Sequence, residues 1–173
     1  MNLWRLDCGT QTILVGGDEN LAEVFYWGAL LPESENLKSI WNITRLDYSG
    51  GVLDGVPALS ICPEVSKTFN GHPGMRIRGA SGKRLYPNFR LTNAKLSKTS
   101  LLLEYEDPEI GLTYKANFLA HKETSVFELS ASLAADTDIL VDWFAAPVLP
   151  ATQAAKKMID FSGHWCREFQ KQE

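Results

Sequence analysis

Between Leu101 and Leu133 the chain repeatedly alternates apolar and polar residues with a period of two, and this stretch constrains the fold most. Leu101, Leu103 and Tyr105 interleave with Leu102, Glu104 and Glu106. Leu112, Tyr114, Ala116, Phe118 and Ala120 share one face, opposite Thr113, Lys115 and Asn117. Phe127, Leu129, Ala131 and Leu133 repeat the pattern against Glu128, Ser130 and Ser132. Successive side chains of an extended strand point to opposite faces, so each run predicts a half-buried strand. Asp107-Pro108-Glu109-Ile110-Gly111 has the composition of a turn, because Pro presets φ and Gly tolerates positive φ. His121 to Thr124 reads as a hairpin connection, and Ala134 to Asp138 turns the chain again. Ile139 to Ala146 is nearly all apolar except Asp142, which predicts a strand covered on both faces. Four strands joined by short turns predict an antiparallel meander.

The N-terminal third repeats the theme less regularly. Trp4 to Cys8 and Thr12 to Val15 read as paired strands around Gly9-Thr10-Gln11, and Glu23 to Gly28 as a third strand. Pro32 to Ser39 is polar and fits a loop or short helix, and Trp41 to Asp47 is read as another strand. From Gly50 to Pro87, glycines and prolines break every periodicity, a composition typical of long loops with functional or partner contacts. Thr152 to Met158 has helix-compatible residues but is short. The fold class expected is all-β: a β-sandwich, mostly antiparallel, with long Gly/Pro-rich loops.

A chain of 173 residues with 45% hydrophobic content can bury one core. Its net charge of −4 argues against a nucleic-acid partner, which needs a dense basic face. Arg76, Arg78, Lys83 and Arg84 form the local exception and read as a solvated loop. Cys8, Cys62 and Cys166 are odd in number and widely spaced, unlike a disulfide framework or zinc site, and fit a reducing compartment. No apolar stretch follows the start of the chain as in a secretory signal, and no run approaches the roughly 18 apolar residues of a membrane helix. A cytoplasmic location is expected, with no membrane partner.

The catalytic motifs sought are absent. There is no G-x-S-x-G elbow, no phosphate loop, no dinucleotide fingerprint, and no H-x-x-x-H or C-x-x-C spacing. Neither a metal nor a cofactor is expected. Asp107, Glu109, Asp136 and Asp138 are carboxylates in polar turns, where a solvated surface is expected rather than an acid–base pair. Among the five tryptophans, Trp27 and Trp143 have apolar neighbours and are expected in the core. Trp165, between His164 and Cys166-Arg167-Glu168, is the candidate for an interface. Phe161 to Phe169 is strand-like, aromatic and charged, with only a few residues after it, so it reads as material that lacks its partner.

Three segments in order carry a resemblance: Phe25-Tyr26-Trp27-Gly28, the stretch Phe69-Asn70-Gly71-His72-Pro73-Gly74 leading to Asn88-Phe89-Arg90, and Phe161-Ser162-Gly163-His164-Trp165-Cys166-Arg167-Glu168-Phe169. Together they resemble the N-terminal region of glycoside hydrolase family 36 α-galactosidases. The resemblance spans essentially the whole chain. It implies a β-supersandwich over residues 1–160, with residues 161–173 beginning the connection to a catalytic (β/α)8 barrel encoded elsewhere in the same polypeptide. In the family that barrel carries both catalytic aspartates, its nucleophile in a Lys-Trp-Asp motif, and hydrolyses terminal α-galactosides with retention. Lys-Trp-Asp is absent here, so no catalytic residue is expected in this chain and the piece alone is expected to be inactive.

The resemblance also implies an accessory role in oligomer assembly and in one wall of the sugar pocket. An Asp-Phe-Arg segment serves that wall in the family, and Asn88, Phe89 and Arg90 match it. Asn88 and Arg90 are therefore the substrate-binding candidates, with Asn88 replacing a charge by an amide. An alternative confines Asn88 to stabilising the turn after Pro87. Two other readings differ in class. One is a free-standing galactose- or oligosaccharide-binding module that stacks sugars on Trp27, Trp41 or Trp165. The other is a mutarotase-like enzyme using His121 beside Glu123.

Overall fold

A computed structural model describes residues 1–44, 59–151, 156–157, 159–164 and 166–172. The strands expected from alternation are present. β1 (Asn2–Cys8), β2 (Gln11–Gly17) and β3 (Glu23–Ala29) form an antiparallel sheet in the order β1-β2-β3. β4 (Met75–Gly79) and β5 (Arg84–Leu85) follow a short 3-10 helix at Val65–Lys67. β6 (Arg90–Leu96), β7 (Ser100–Asp107), β8 (Leu112–His121) and β9 (Val126–Ala135) form a four-stranded antiparallel meander.

In β7 and β8 the register explains the packing. Leu101 lies opposite Phe118, Leu103 opposite Ala116 and Tyr105 opposite Tyr114, and all six are buried. A large residue faces a small one at Leu103/Ala116, which lets the layer interdigitate with the facing sheet. Trp4, Leu6 and Cys8 of β1 and Ile13 and Val15 of β2 join these residues in one hydrophobic core. Polar stitches join the two layers: the Gln11 amide donates to Ser125 O at 2.8 Å, and within the core the Ala22 N–H donates to the Tyr105 hydroxyl at 3.2 Å. Sheets packed over a shared core make an all-β sandwich.

Several expectations need correction. The meander holds three of the four strands read there, together with β6, which alternation did not reveal. The fourth, β10 (Ile139–Phe144), leaves the meander and pairs with β4, giving a separate sheet in the order β10-β4-β5. It is not covered on both faces: Leu140, Val141 and Trp143 are each about half exposed. An edge strand has one neighbour, and the bulge between Val141 and Trp143 turns Asp142 outward to the Arg78 guanidinium. Nor is the stretch 59–87 wholly irregular, since it holds β4 and β5. The basic cluster lies largely on that hairpin rather than in a loop. Residues 50–58 and most of 152–158 lie outside the described residues.

Trp41 belongs to a helix, not a strand. α1 spans Leu37–Thr44, and the described part of the expected strand, residues 41–44, falls within it. The Asn36 side chain accepts the N–H groups of Lys38 and Ser39 at 3.0 and 3.1 Å, the N-cap arrangement that starts a helix. Trp41 then reaches back over the first sheet. Its ring meets Phe25 edge-to-face at 5.1 Å and lies where a Cβ on Gly16 would stand, 2.4 Å away. Among the described residues no helix is long and apolar enough to cross a membrane.

β11 (Asp160–His164) and β12 (Arg167–Gln172) pair with each other as a two-stranded hairpin. Phe161 and Phe169 meet at 6.4 Å between ring centres and are 64% and 82% exposed.

Candidate functional site

A cleft of about 390 Å³ opens beside the β10-β4-β5 sheet. Its floor is buried: Met75 and Ile77 from β4, Phe89 just before β6, and Glu64 at the start of the 3-10 helix. Its mouth carries Arg76, Arg84, Tyr86 and Asp142, all exposed, with Phe69 on the wall. Alternation in β4 explains the division: Met75 and Ile77 face the core, while Arg76 and Arg78 face outward. Arg84 lies directly opposite Arg78 across the β4–β5 pair.

Arg78 grips Asp142 with two parallel bonds, Nε to Oδ2 at 2.8 Å and Nη2 to Oδ1 at 2.6 Å. That bidentate contact holds the Asp142 carboxyl below the usual carboxylate range, and the nearby Arg84 and Arg76 charges add to it. Neither the Arg76 nor the Arg84 side chain makes a hydrogen bond or ion pair with another described residue.

Glu64 is the site residue that sequence reasoning missed. Burial pushes its carboxyl up to about 7, against the lowering effect of the Phe89 N–H that it accepts. Lys67 also lowers it, and Asp107 raises it. Asp107 was expected in a solvated turn and is instead 4% exposed. Its Oδ1 accepts the Glu109 N–H at 3.0 Å, the side-chain turn that Asp favours two residues ahead. Its Oδ2 accepts the Asn88 N–H at 2.7 Å. The other carboxylates of that group, Glu109, Asp136 and Asp138, are exposed as expected.

Pro87, Asn88 and Phe89 are consequently held at one main-chain atom each. Ser66 Oγ donates to Pro87 O, Asp107 accepts from Asn88 N–H, and Glu64 accepts from Phe89 N–H. The Phe89 ring is fully buried, 5.6 Å from the Tyr114 ring. Asn88 and Arg90 flank it and point to solvent. They lie next to the cleft without lining it.

The remaining candidates separate. Trp27 and Trp143 are not core residues; they are 45% and 46% exposed. Both lie on strand faces turned to solvent, where the Trp27 indole donates to Gln11 Oε1 at 3.0 Å and Trp143 meets the His72 ring at 4.9 Å. Trp41 is buried, so it offers no stacking platform. Trp165 lies outside the described residues. His121 pairs with Glu128 at 2.9 Å rather than with Glu123, and both partners are exposed. Among the described residues no group of three or more His, Cys, Asp or Glu could hold a metal ion.

Antiparallel sheets around one core, with a concave flank beside a short third sheet, place the chain in the class of β-sandwich domains. The model of the glycosyl hydrolase family 36 N-terminal domain matches residues 20–173, and the chain belongs to that family. No curated protein matches it. Solved structures with the same fold include an α-galactosidase from Lactobacillus brevis, with a TM-score of 0.70 and 17% identity over 98% of this chain and 26% of that one. The α-galactosidase AgaA from Geobacillus stearothermophilus gives 0.62 and 15%, over 84% and 24%. AgaB from the same organism gives 0.61 and 13%, over 84% and 24%. The chain thus spans about a quarter of the length of the structures it matches.

Proposed function

We propose that this chain is the N-terminal accessory domain of an α-galactosidase whose catalytic barrel lies in the remainder of the same polypeptide. The observation that carries the reading is a pair of coverages: 98% of this chain aligns with 26% of the Lactobacillus brevis α-galactosidase. The match to the family 36 N-terminal domain supports the same assignment. On this reading the whole enzyme hydrolyses terminal α-galactosides with retention, in the cytoplasm. The domain supports the barrel and takes part in assembling a homo-oligomer.

Asn88 and Arg90 contribute a wall of the sugar pocket. Their exposure, and the clamping of the main chain between them, support that role. A wall residue must keep its place with no barrel behind it, and fixed backbone is what positions it. Residues 1–160 form the domain and 161–173 begin the connection to the barrel, with Trp165 at the interface. The exposed Phe161 and Phe169 of the β11–β12 hairpin are consistent with that junction.

The test is direct. Pure 173-residue protein is expected to give no turnover of an aryl α-galactoside, and turnover would overturn the accessory assignment. A second reading, a free-standing sugar-binding module, is favoured by the exposed Trp27 and Trp143. Saturable calorimetric heat with galactose or raffinose, abolished by Trp27→Ala or Trp143→Ala, would select it.

A further inference from the structure

We propose that the cleft bounded by Phe69, Arg76, Arg84 and Tyr86 is a binding site for a pyranose bearing an anionic group, a carboxylate or a phosphate. It is separate from the wall formed by Asn88 and Arg90, neither of which lines the cleft.

Charge is the first argument. Arg76, Arg78 and Arg84 share the outer face of β4 and β5, and Asp142 is the carboxylate that lines the mouth beside them. Arg78 occupies both oxygens of Asp142. The Arg76 and Arg84 guanidinium groups act on that carboxylate through space and bond to no described residue. Two guanidinium forks at one mouth match a planar carboxylate or a phosphate bidentately. The chain as a whole carries −4, so an anion is favoured only where these arginines outweigh that charge, and a long polyanion would extend beyond them.

Shape and polarity narrow the class further. A cleft of about 390 Å³ lies in the range of small-molecule sites. A bare inorganic anion would satisfy the arginines and leave the rings of Phe69 and Tyr86 and the apolar floor at Met75 facing water. A pyranose supplies apolar C–H faces for aromatic rings together with hydroxyls. The Glu64 carboxyl lies on the floor, with Oε1 taken by Phe89 N–H. No described residue hydrogen-bonds its other oxygen, which leaves that oxygen to meet a ring hydroxyl, as acceptor or, when protonated, as donor.

The test is calorimetric titration of the full chain with D-galacturonate, galactose 6-phosphate, D-galactose and inorganic phosphate as separate arms. At least one anionic sugar is expected to saturate at about 10 mM, the concentration that fills a millimolar site. Galacturonate saturating alone identifies a carboxylate ligand, and galactose 6-phosphate alone a phosphate ligand. Arg84→Ala is expected to weaken that binding about tenfold or more, the usual loss for a charge-assisted bond. Tyr86→Ala is expected to weaken it as well, and added salt to reduce it. Arg84 and Tyr86 are exposed, so both variants should keep the thermal midpoint that reports folding.

The proposal fails if neither anionic sugar saturates, or if Arg84→Ala binds as tightly as the unmodified chain. Inorganic phosphate binding as tightly as the sugars, or D-galactose doing so, also overturns it. None of these outcomes bears on whether the domain lacks hydrolytic activity, so the two readings stand or fall separately.

Discussion

Glu64 Oε1 accepts the Phe89 N–H at 3.0 Å from the cleft floor, where the residue is 8% exposed. Burial holds its folded-state pKa near 7, against an ordinary value of 4.5. The folded protein therefore binds this proton more tightly than the unfolded chain, and stability from this group falls as pH rises from about 4.5 to about 7. Above that window the ionised form costs on the order of 3 kcal/mol relative to pH 4. Glu64→Gln keeps a side-chain acceptor for Phe89 and removes the titration. Urea unfolding at pH 5 and pH 8 is expected to show the variant gaining stability over the parent chain at pH 8 and losing that advantage at pH 5.

Gly16 and Trp41 are sterically coupled. A Cβ at position 16 would stand 2.4 Å from the Trp41 ring, so Gly16→Ala must displace a buried indole. The expected cost is about 1–3 kcal/mol, typical of overpacking. In a double-mutant cycle with Trp41→Leu, the penalty of Gly16→Ala should shrink. An unchanged penalty would place the strain at Leu3, whose Cδ2 would lie 2.9 Å from the same Cβ.

Tyr114 has a hydroxyl buried without a hydrogen-bond partner among the described residues. Burial also drives its ionisation far above the ordinary tyrosine range. Deleting an unsatisfied polar atom while keeping the ring removes a desolvation cost. Tyr114→Phe is expected to leave the thermal midpoint unchanged or to raise it. A fall in midpoint would reveal a partner for that oxygen.

Cysteine reactivity should report the fold. Cys8 and Cys62 are buried, and Cys166 is exposed. Burial pushes the Cys62 thiol up to about 12, which removes its thiolate at neutral pH. An aromatic disulfide reagent is expected to label one thiol quickly in the native protein and all three in urea, and Cys166→Ser should abolish the fast phase.

The strands of the main sandwich were legible because one buried face and one wet face print a period of two. Leu101 to Ala135 shows this in β7, β8 and β9. The third sheet was not legible, since β4 pairs with β10 some sixty residues later and glycines and prolines interrupt its approach. Trp27 and Trp143 misled for a related reason: apolar neighbours in sequence do not share a face in a strand. Glu64 left no local signal, because the groups that engage its carboxyl, the Phe89 N–H and the Asp107 charge, are distant in sequence. Asp107 did leave one, in the Asp-Pro start of its turn. The placement of Asn88 and Arg90 beside a fixed Phe89 followed from tertiary contacts alone.

Ser66, Asp107 and Glu64 hold carbonyl and amide atoms of residues 87–89, and none of the three bonds depends on what position 88 or 90 carries beyond its backbone. Any residue but proline at position 88 keeps the N–H that Asp107 accepts, so those two codons can be randomised on that condition while the loop keeps its course. The chemistry displayed on this surface can therefore be changed at two exposed side chains on a fixed frame, with no cost to the scaffold beneath.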